Sequence, residues 1–362
     1  MLPFLKIQIT KEPNKWKAML IPTFGNKMKE FIYHNKLFIK LEDKTLKSTI
    51  VKARKYVNEV QDTILEITFF KTGISTIDEK LNKLELVISA KFNAPILEQI
   101  NQRDRVIYTL ILKETDQEEV ILSDEIEPQK DEFIKIDKYN SWNINSTTSA
   151  MICGTTGSGK SRIAYYFLKQ IRNRTDDDLI YVCDPKKDEL QKVARKNFRL
   201  KNVYTEKEKM EQAINDFHKL MESRYSLKEK EDYDEEDFQH SFLILDEYSA
   251  FRNSFANKKE WEVVDKKIRD IAMKGRAARV HLIIILQHPS ADNLSSELRG
   301  QLGIRIICGT PQSQEIFKMA TGLSVEKEIL TKQRGQGYVS LNGNVKDFNA
   351  PLIFFPDEIK KN

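Results

Sequence analysis

From about residue 150 onward, short, mainly apolar runs alternate with stretches whose apolar positions recur every three or four residues. The runs are 150–153, 179–183, 242–246, 280–287 and 304–308. Helical spacing links Ile163, Ala164, Phe167, Leu168 and Ile171, then Met210, Ile214, Phe217 and Met221, then Trp261, Val264, Ile268 and Ile271. Thr205 and Glu208 have the spacing of a capping box before the second of these helices. A strand that is apolar at every position is buried on both faces, and a helix with one apolar stripe covers a sheet. The pattern predicts an α/β unit built on a parallel sheet with helices on both sides. The run Lys228–Gln239 is too charged to pack and reads as a solvated loop.

The first third has a different rhythm. Strand-like runs occur at Trp16–Thr23, Phe31–Leu41, Thr63–Phe70 and Val106–Lys113. Leu46, Ile50, Ala53, Val57 and Val60 fall on one face of a predicted helix. Residues 124–140 are charged and carry a proline, which places a domain boundary there. The expectation is a small α+β domain over 1–125, with no catalytic constellation, followed by the α/β unit over 126–362.

A chain of 362 residues is long enough for two such cores. Its net charge of +5 permits an anionic partner without requiring one. The three cysteines, Cys153, Cys183 and Cys308, end apolar runs and form no CxxC pair, so they read as buried core residues in a reducing compartment. No signal peptide and no apolar stretch of roughly 18 residues is present, which leaves no candidate membrane span.

The strand at 150–153 runs into "GTTGSGKS", a full G-x-x-x-x-G-K-[ST] loop made of Gly154, Thr155, Thr156, Gly157, Ser158, Gly159, Lys160 and Ser161. Glycines let backbone N–H groups turn toward phosphates, the lysine reaches the β and γ oxygens, and the serine hydroxyl can ligate magnesium. The helix that follows adds its positive end. The strand "FLIL" delivers Asp246 and Glu247. Asp246 is the expected magnesium residue and Glu247 the expected general base for an attacking water. Gln287 closes a strand and faces the same crevice as a candidate γ-phosphate sensor. A dedicated carboxylate base points to an ATP-hydrolysing motor rather than to a small-molecule kinase or a signalling GTPase.

"GTTGSGKS", "CDPKKDEL", "LMESRY", "LILDEYSAF", "KGRAARVHLIIILQHPS" and "LGIRIICGT" stand in the order found in FtsK/SpoIIIE-type DNA translocase motors. Over residues 130 to about 345 the chain resembles that family, and most of all the coupling ATPases of Gram-positive conjugative elements. The resemblance implies a RecA-like P-loop NTPase that uses ATP and Mg2+. It implies a homo-oligomeric ring, usually a hexamer, with DNA at its centre and ATP at subunit interfaces. An arginine supplied by a neighbouring subunit is part of that picture, with Arg224 and Arg276 as candidates and Arg305 a weaker third. His288 stands where the family usually has arginine.

The function expected is ATP-driven DNA translocation in conjugation or in plasmid or mobile-element transfer. The alternatives are a protein-secretion motor of the type VII kind and a nucleotide-gated adaptor for a relaxase or replication protein. The N-terminal domain is expected to dock a partner, such as a relaxase or a separately encoded membrane anchor. The chain is expected in the cytoplasm, recruited to the inner face of the cell membrane, with no anchor or DNA-reading winged helix of its own.

Overall fold

The computed structural model describes residues 7–8, 22–40, 46–58, 62–113, 118–230, 234–323, 329 and 331–355. The chain separates into two compact units, Met1–Gln117 and Glu118–Asn362. The division falls ahead of the charged 124–140 stretch, because strand Glu119–Ile121 pairs in parallel with Leu352–Phe354 and is thereby tied into the second unit.

In the first unit, helix Pro22–His34 and helices Ser75–Leu81 and Glu85–Phe92 accompany a five-stranded sheet. Its core gathers Phe31, Val51, Ile67, Phe69, Leu81, Ile88, Val106 and Tyr108. Strands Thr63–Phe70 and Arg105–Lys113 fall where the apolar runs predict them. The helix expected over Leu46–Val60 is instead two strands, Leu46–Ser48 and Ile50–Val57. The second pairs along its whole length with Thr63–Phe70, so tertiary pairing overrides a spacing that also suits a helix. Val60 lies outside the described residues. Of the run Phe31–Leu41, only Phe38–Lys40 is strand, and Phe31–His34 close the first helix. Residues 16–21 of the first run lie outside the described residues, and Pro22 and Thr23 open that same helix.

The second unit carries the predicted α/β architecture. Its eight-stranded sheet runs, edge to edge, Val203–Tyr204, Ile180–Cys183, Ser241–Leu245, Val280–Leu286, Ser149–Cys153, Ile304–Cys308, Gln336–Leu341 and Asn344–Asn349. The first six strands are parallel and the last two antiparallel. Alternate residues of each strand feed two cores. Ala150 and Ile152 join Ile163, Phe167, Leu168 and Ile171 on one face, while Met151 and Cys153 join Met210, Phe217, Trp261 and Ile268 on the other. All three cysteines are free and buried.

The second long helix, Lys207–Glu229, has Glu206 at its N-cap with no side-chain cap, so the Thr205–Glu208 box does not form. That helix also runs into the charged 228–239 stretch, and Phe238 at the far end is 9% exposed, packed under the Arg224 guanidinium. No helix among the described residues is long and apolar enough to cross a membrane.

Trp142 anchors the first of the two cores. It is fully buried, meets Phe167, Phe242 and His281 at ring distances of 6.1, 6.5 and 6.0 Å, and donates its indole N–H to the Thr147 carbonyl. Trp142→Ala is expected to cost about 3–5 kcal/mol in chemical denaturation. Val263→Ala, at a position 60% exposed on a helix, is expected to change stability by less than about 0.5 kcal/mol.

Candidate functional site

The parallel strands end along one edge, and the sheet order decides which residues meet there. Strand Val280–Leu286 lies between the strand that leads into the glycine loop and the strand that leads into Asp246. Gln287 therefore stands between the loop and the acidic pair. The Gln287 carbonyl accepts the Gly154 N–H at 3.2 Å, which pins the loop's first residue to that strand end.

The loop closes around Lys160. Gly154 has φ +145°, and a Cβ there would lie 2.3 Å from the Cys308 carbonyl oxygen, so no other residue fits. The Lys160 ammonium donates to the carbonyls of Gly154 at 2.6 Å and Thr155 at 3.0 Å. Ser158 also donates to the Thr155 carbonyl, at 2.7 Å. Thr156 and Gly157 are exposed at the tip, and Gly159, left-handed, starts helix Lys160–Arg172 with Ser161 exposed in its first turn. Gly335 donates its N–H to the Ser158 carbonyl, so the segment before the last hairpin also backs the loop.

Strand Ser241–Leu245 places the acidic pair. Asp246 accepts the Glu247 N–H on Oδ1 at 2.8 Å. Glu247 adopts a left-handed conformation, φ 44° and ψ 46°, an uncommon state for a residue with a side chain and one found at functional turns. Its carboxylate meets the Lys186 ammonium at 2.8 Å. Burial, then the negative charge of Asp184, pushes the Asp246 carboxyl up to about 7, with the Glu247 N–H and Lys160 acting in the opposite sense.

Asp184 and Lys186 were not among the residues singled out above as site candidates. Both come from the turn after strand Ile180–Cys183, whose last residue pairs with Leu245. Asp184 is fully buried, Oδ2 accepts the Gln191 N–H, and Oδ1 has no hydrogen-bond partner. Burial raises its carboxyl above the ordinary value. The signal was present, because Asp184 follows an apolar run just as Asp246 does.

A buried, unpartnered carboxylate oxygen beside a second carboxylate is a set of hard oxygen donors, which suits a divalent cation. Among the described residues no group of three or more His, Cys, Asp or Glu side chains could hold a metal alone.

The arginines separate. Arg224 is 6% exposed and donates to the Ala278 carbonyl at 2.7 Å and the Ser241 hydroxyl at 2.8 Å, at the amino end of strand Ser241–Leu245 and thus across the sheet from the loop. Burial and the nearby Arg279 lower it to about 10. Its guanidinium is thus held by groups of this same chain. Arg305 donates to the carbonyls of Leu302 and Arg299, both at 2.7 Å, and is held in the same way. Arg276 is exposed in the turn Gly275–Ala278. A groove of about 590 Å3 lined by Glu125, Asp131, Lys135, Lys169 and Arg174 shares no residue with the site.

No protein-family model matches the chain. Sequence relatives are found nonetheless. The FtsK domain-containing protein YdcQ of Bacillus subtilis is 26% identical over 225 residues, 60% of this chain and 45% of YdcQ. DNA translocase FtsK of Oceanobacillus iheyensis is 28% identical over 236 residues, 59% of this chain and 29% of that protein. The chain is similar to FtsK-type motors. It spans less than half the length of these curated relatives.

Among solved structures, the pCW3 conjugation coupling protein TcpA, a monomer form with ATPgS, superposes with TM-score 0.56 at 18% identity. The match covers 91% of this chain and 96% of TcpA. ATPases 2 and 3 of EssC from Geobacillus thermodenitrificans give TM-score 0.50 at 12% identity, over 71% of this chain and 55% of EssC. These likenesses show that the chain shares the fold of these ATPases.

The raised Asp246 carboxyl has a definite sign. Between its ordinary 3.8 and about 7, the folded chain keeps a proton that the unfolded chain has lost, so this group's contribution to stability falls as pH rises through that window. In metal-free buffer, Asp246→Asn is therefore expected to raise the melting temperature more at about pH 8 than at about pH 5. An equal effect at both pH values would show that Asp246 is not buried as a charge.

Proposed function

We propose that this chain is an ATP-hydrolysing motor that moves DNA, acting in conjugation or in the transfer of a plasmid or mobile element. The observation that carries this reading is the convergence of Lys160, Asp246, Glu247 and Gln287 on neighbouring strand ends in a chain 26–29% identical to FtsK-type proteins.

In this reading the phosphates of ATP take the Lys160 ammonium from the Gly154 and Thr155 carbonyls, and the backbone N–H groups of 155–161 turn to the same oxygens. Ser161 and Asp246 would hold magnesium, with Asp184 behind them; bound magnesium neutralises phosphate charge. Glu247 accepts the proton of the attacking water, and Gln287 orients that water or the γ-phosphate. Arg276, exposed in the turn at the amino end of strand Val280–Leu286, would be the arginine offered to a neighbouring subunit of a hexameric ring.

DNA would be held through its backbone, giving salt-dependent binding with little sequence preference. The first unit would dock a relaxase or a membrane anchor, drawing the motor from the cytoplasm to the inner face of the cell membrane.

Hydrolysis of ATP by the purified chain should be stimulated by linear duplex DNA, with the stimulation fading as salt rises. Lys160→Ala and Glu247→Gln should each lower turnover by about 100-fold or more, with Glu247→Gln still binding ATP. Full turnover in both variants would remove this mechanism.

A further inference from the structure

The turn after strand Ile180–Cys183 does two things at once. The Lys187 N–H donates to the Asp184 carbonyl at 3.2 Å, and Lys187 is left-handed at φ 57°. This tight turn sends Asp184 into the buried site and Lys186 across to Glu247, where the ammonium lies 2.8 Å from Oε2. The lysine side chain is 44% exposed and the glutamate 17%. The residue expected to act as base is thus shielded, while the partner that engages it faces solvent.

Lys186 also heads the segment 186–199, "KKDELQKVARKNFR", which holds Lys186, Lys187, Lys192, Arg195, Lys196 and Arg199 against Asp188 and Glu189. Glu189 accepts the Tyr165 hydroxyl at 2.9 Å and so turns toward the loop helix. Lys192, Arg195 and Lys196 are exposed. Lys187 and Arg199 are matched by Glu206 and Asp124, but those pairs are exposed and weakly held. A surface of this charge attracts a phosphate backbone.

We propose that Lys186 restrains Glu247 until a nucleic-acid phosphate on the 186–199 segment draws the lysine away, so that DNA binding switches hydrolysis on. The inference rests on the DNA-motor reading given above. A general base works only when its carboxylate is within hydrogen-bond reach of the attacking water. With Oε2 engaged by Lys186, Glu247 is turned to the lysine. The lysine end of the pair is 44% exposed, so a phosphate can reach the ammonium and compete for it. Lys186 touches neither nucleotide nor water in this scheme; it is a positioning residue acting through Glu247.

The test compares ATP turnover of the full chain with and without linear duplex DNA at fixed low salt, in wild type, Lys186→Met and Lys186→Arg. Melting temperatures confirm that each variant is folded. For Lys186→Met, the DNA-free rate should rise roughly twofold to fivefold, the range a weak ion pair can hold back, and the stimulation ratio should fall toward one. Lys186→Arg should keep the wild-type ratio. A Lys186→Met chain that is slower with and without DNA by the same factor overturns the proposal, because the lysine then only orients the base. Unchanged rates overturn it too. If wild type hydrolyses ATP but neither duplex nor single strands stimulate it, the DNA-motor reading itself fails, which is a different result from an unaltered ratio in the variant.

Discussion

Asp184, buried, and Asp246, half-buried, sit on adjacent strand ends, and the cost of withdrawing these two carboxyls from water is the constraint around which the site is organised. Strand Ile180–Cys183 pairs in register with Ser241–Leu245, so the residue after each strand must emerge at the same place. Burying two carboxylates together is unfavourable unless protons, hydrogen bonds or a cation compensate. The chain supplies part of that compensation through the Glu247 and Gln191 N–H groups and through Lys160. One Asp184 oxygen is left without a hydrogen-bond partner. A metal–phosphate group bound there, as proposed above, would relieve that cost and be expected to stabilise the arrangement in turn.

The same edge sets the geometry of everything else. Gly154 is pressed against the Cys308 carbonyl and tied to Gln287, so three strands fix the start of the loop. Glu247 holds an uncommon backbone state because Asp246 captures its N–H as the chain turns into the next helix. Lys186 reaches the same carboxylate from the neighbouring strand. The glycine loop, Gln287, the acidic pair and Lys186 therefore come from adjacent strands of one sheet, which favours precise placement.

Much of this was legible in the sequence. The P-loop motif, the acidic pair and Gln287 each follow an apolar run, and a continuous apolar run specifies a buried strand with few alternatives. Asp184 followed the same grammar and was passed over, since a lone aspartate after "LIYVC" lacks the second carboxylate that marked Asp246–Glu247. The burial of Arg224 was not legible from "MESRY", because the Ala278 carbonyl and the Ser241 hydroxyl that hold it are far away in sequence. In the first unit, 46–60 carries spacing compatible with a helix, and only pairing with Thr63–Phe70 decides for strand. Local periodicity cannot see a partner strand.

The central claim is that the energy released at Lys160 and Glu247 drives movement along DNA. The most direct measurement is displacement of a triplex-forming oligonucleotide from linear duplex DNA by the full chain and ATP. The account predicts displacement by wild type, and none by Glu247→Gln or when ATP is replaced by ATPgS. DNA-stimulated hydrolysis without displacement, at protein concentrations where the chain has assembled, would contradict it and leave a nucleotide-gated DNA-binding protein in place of a motor.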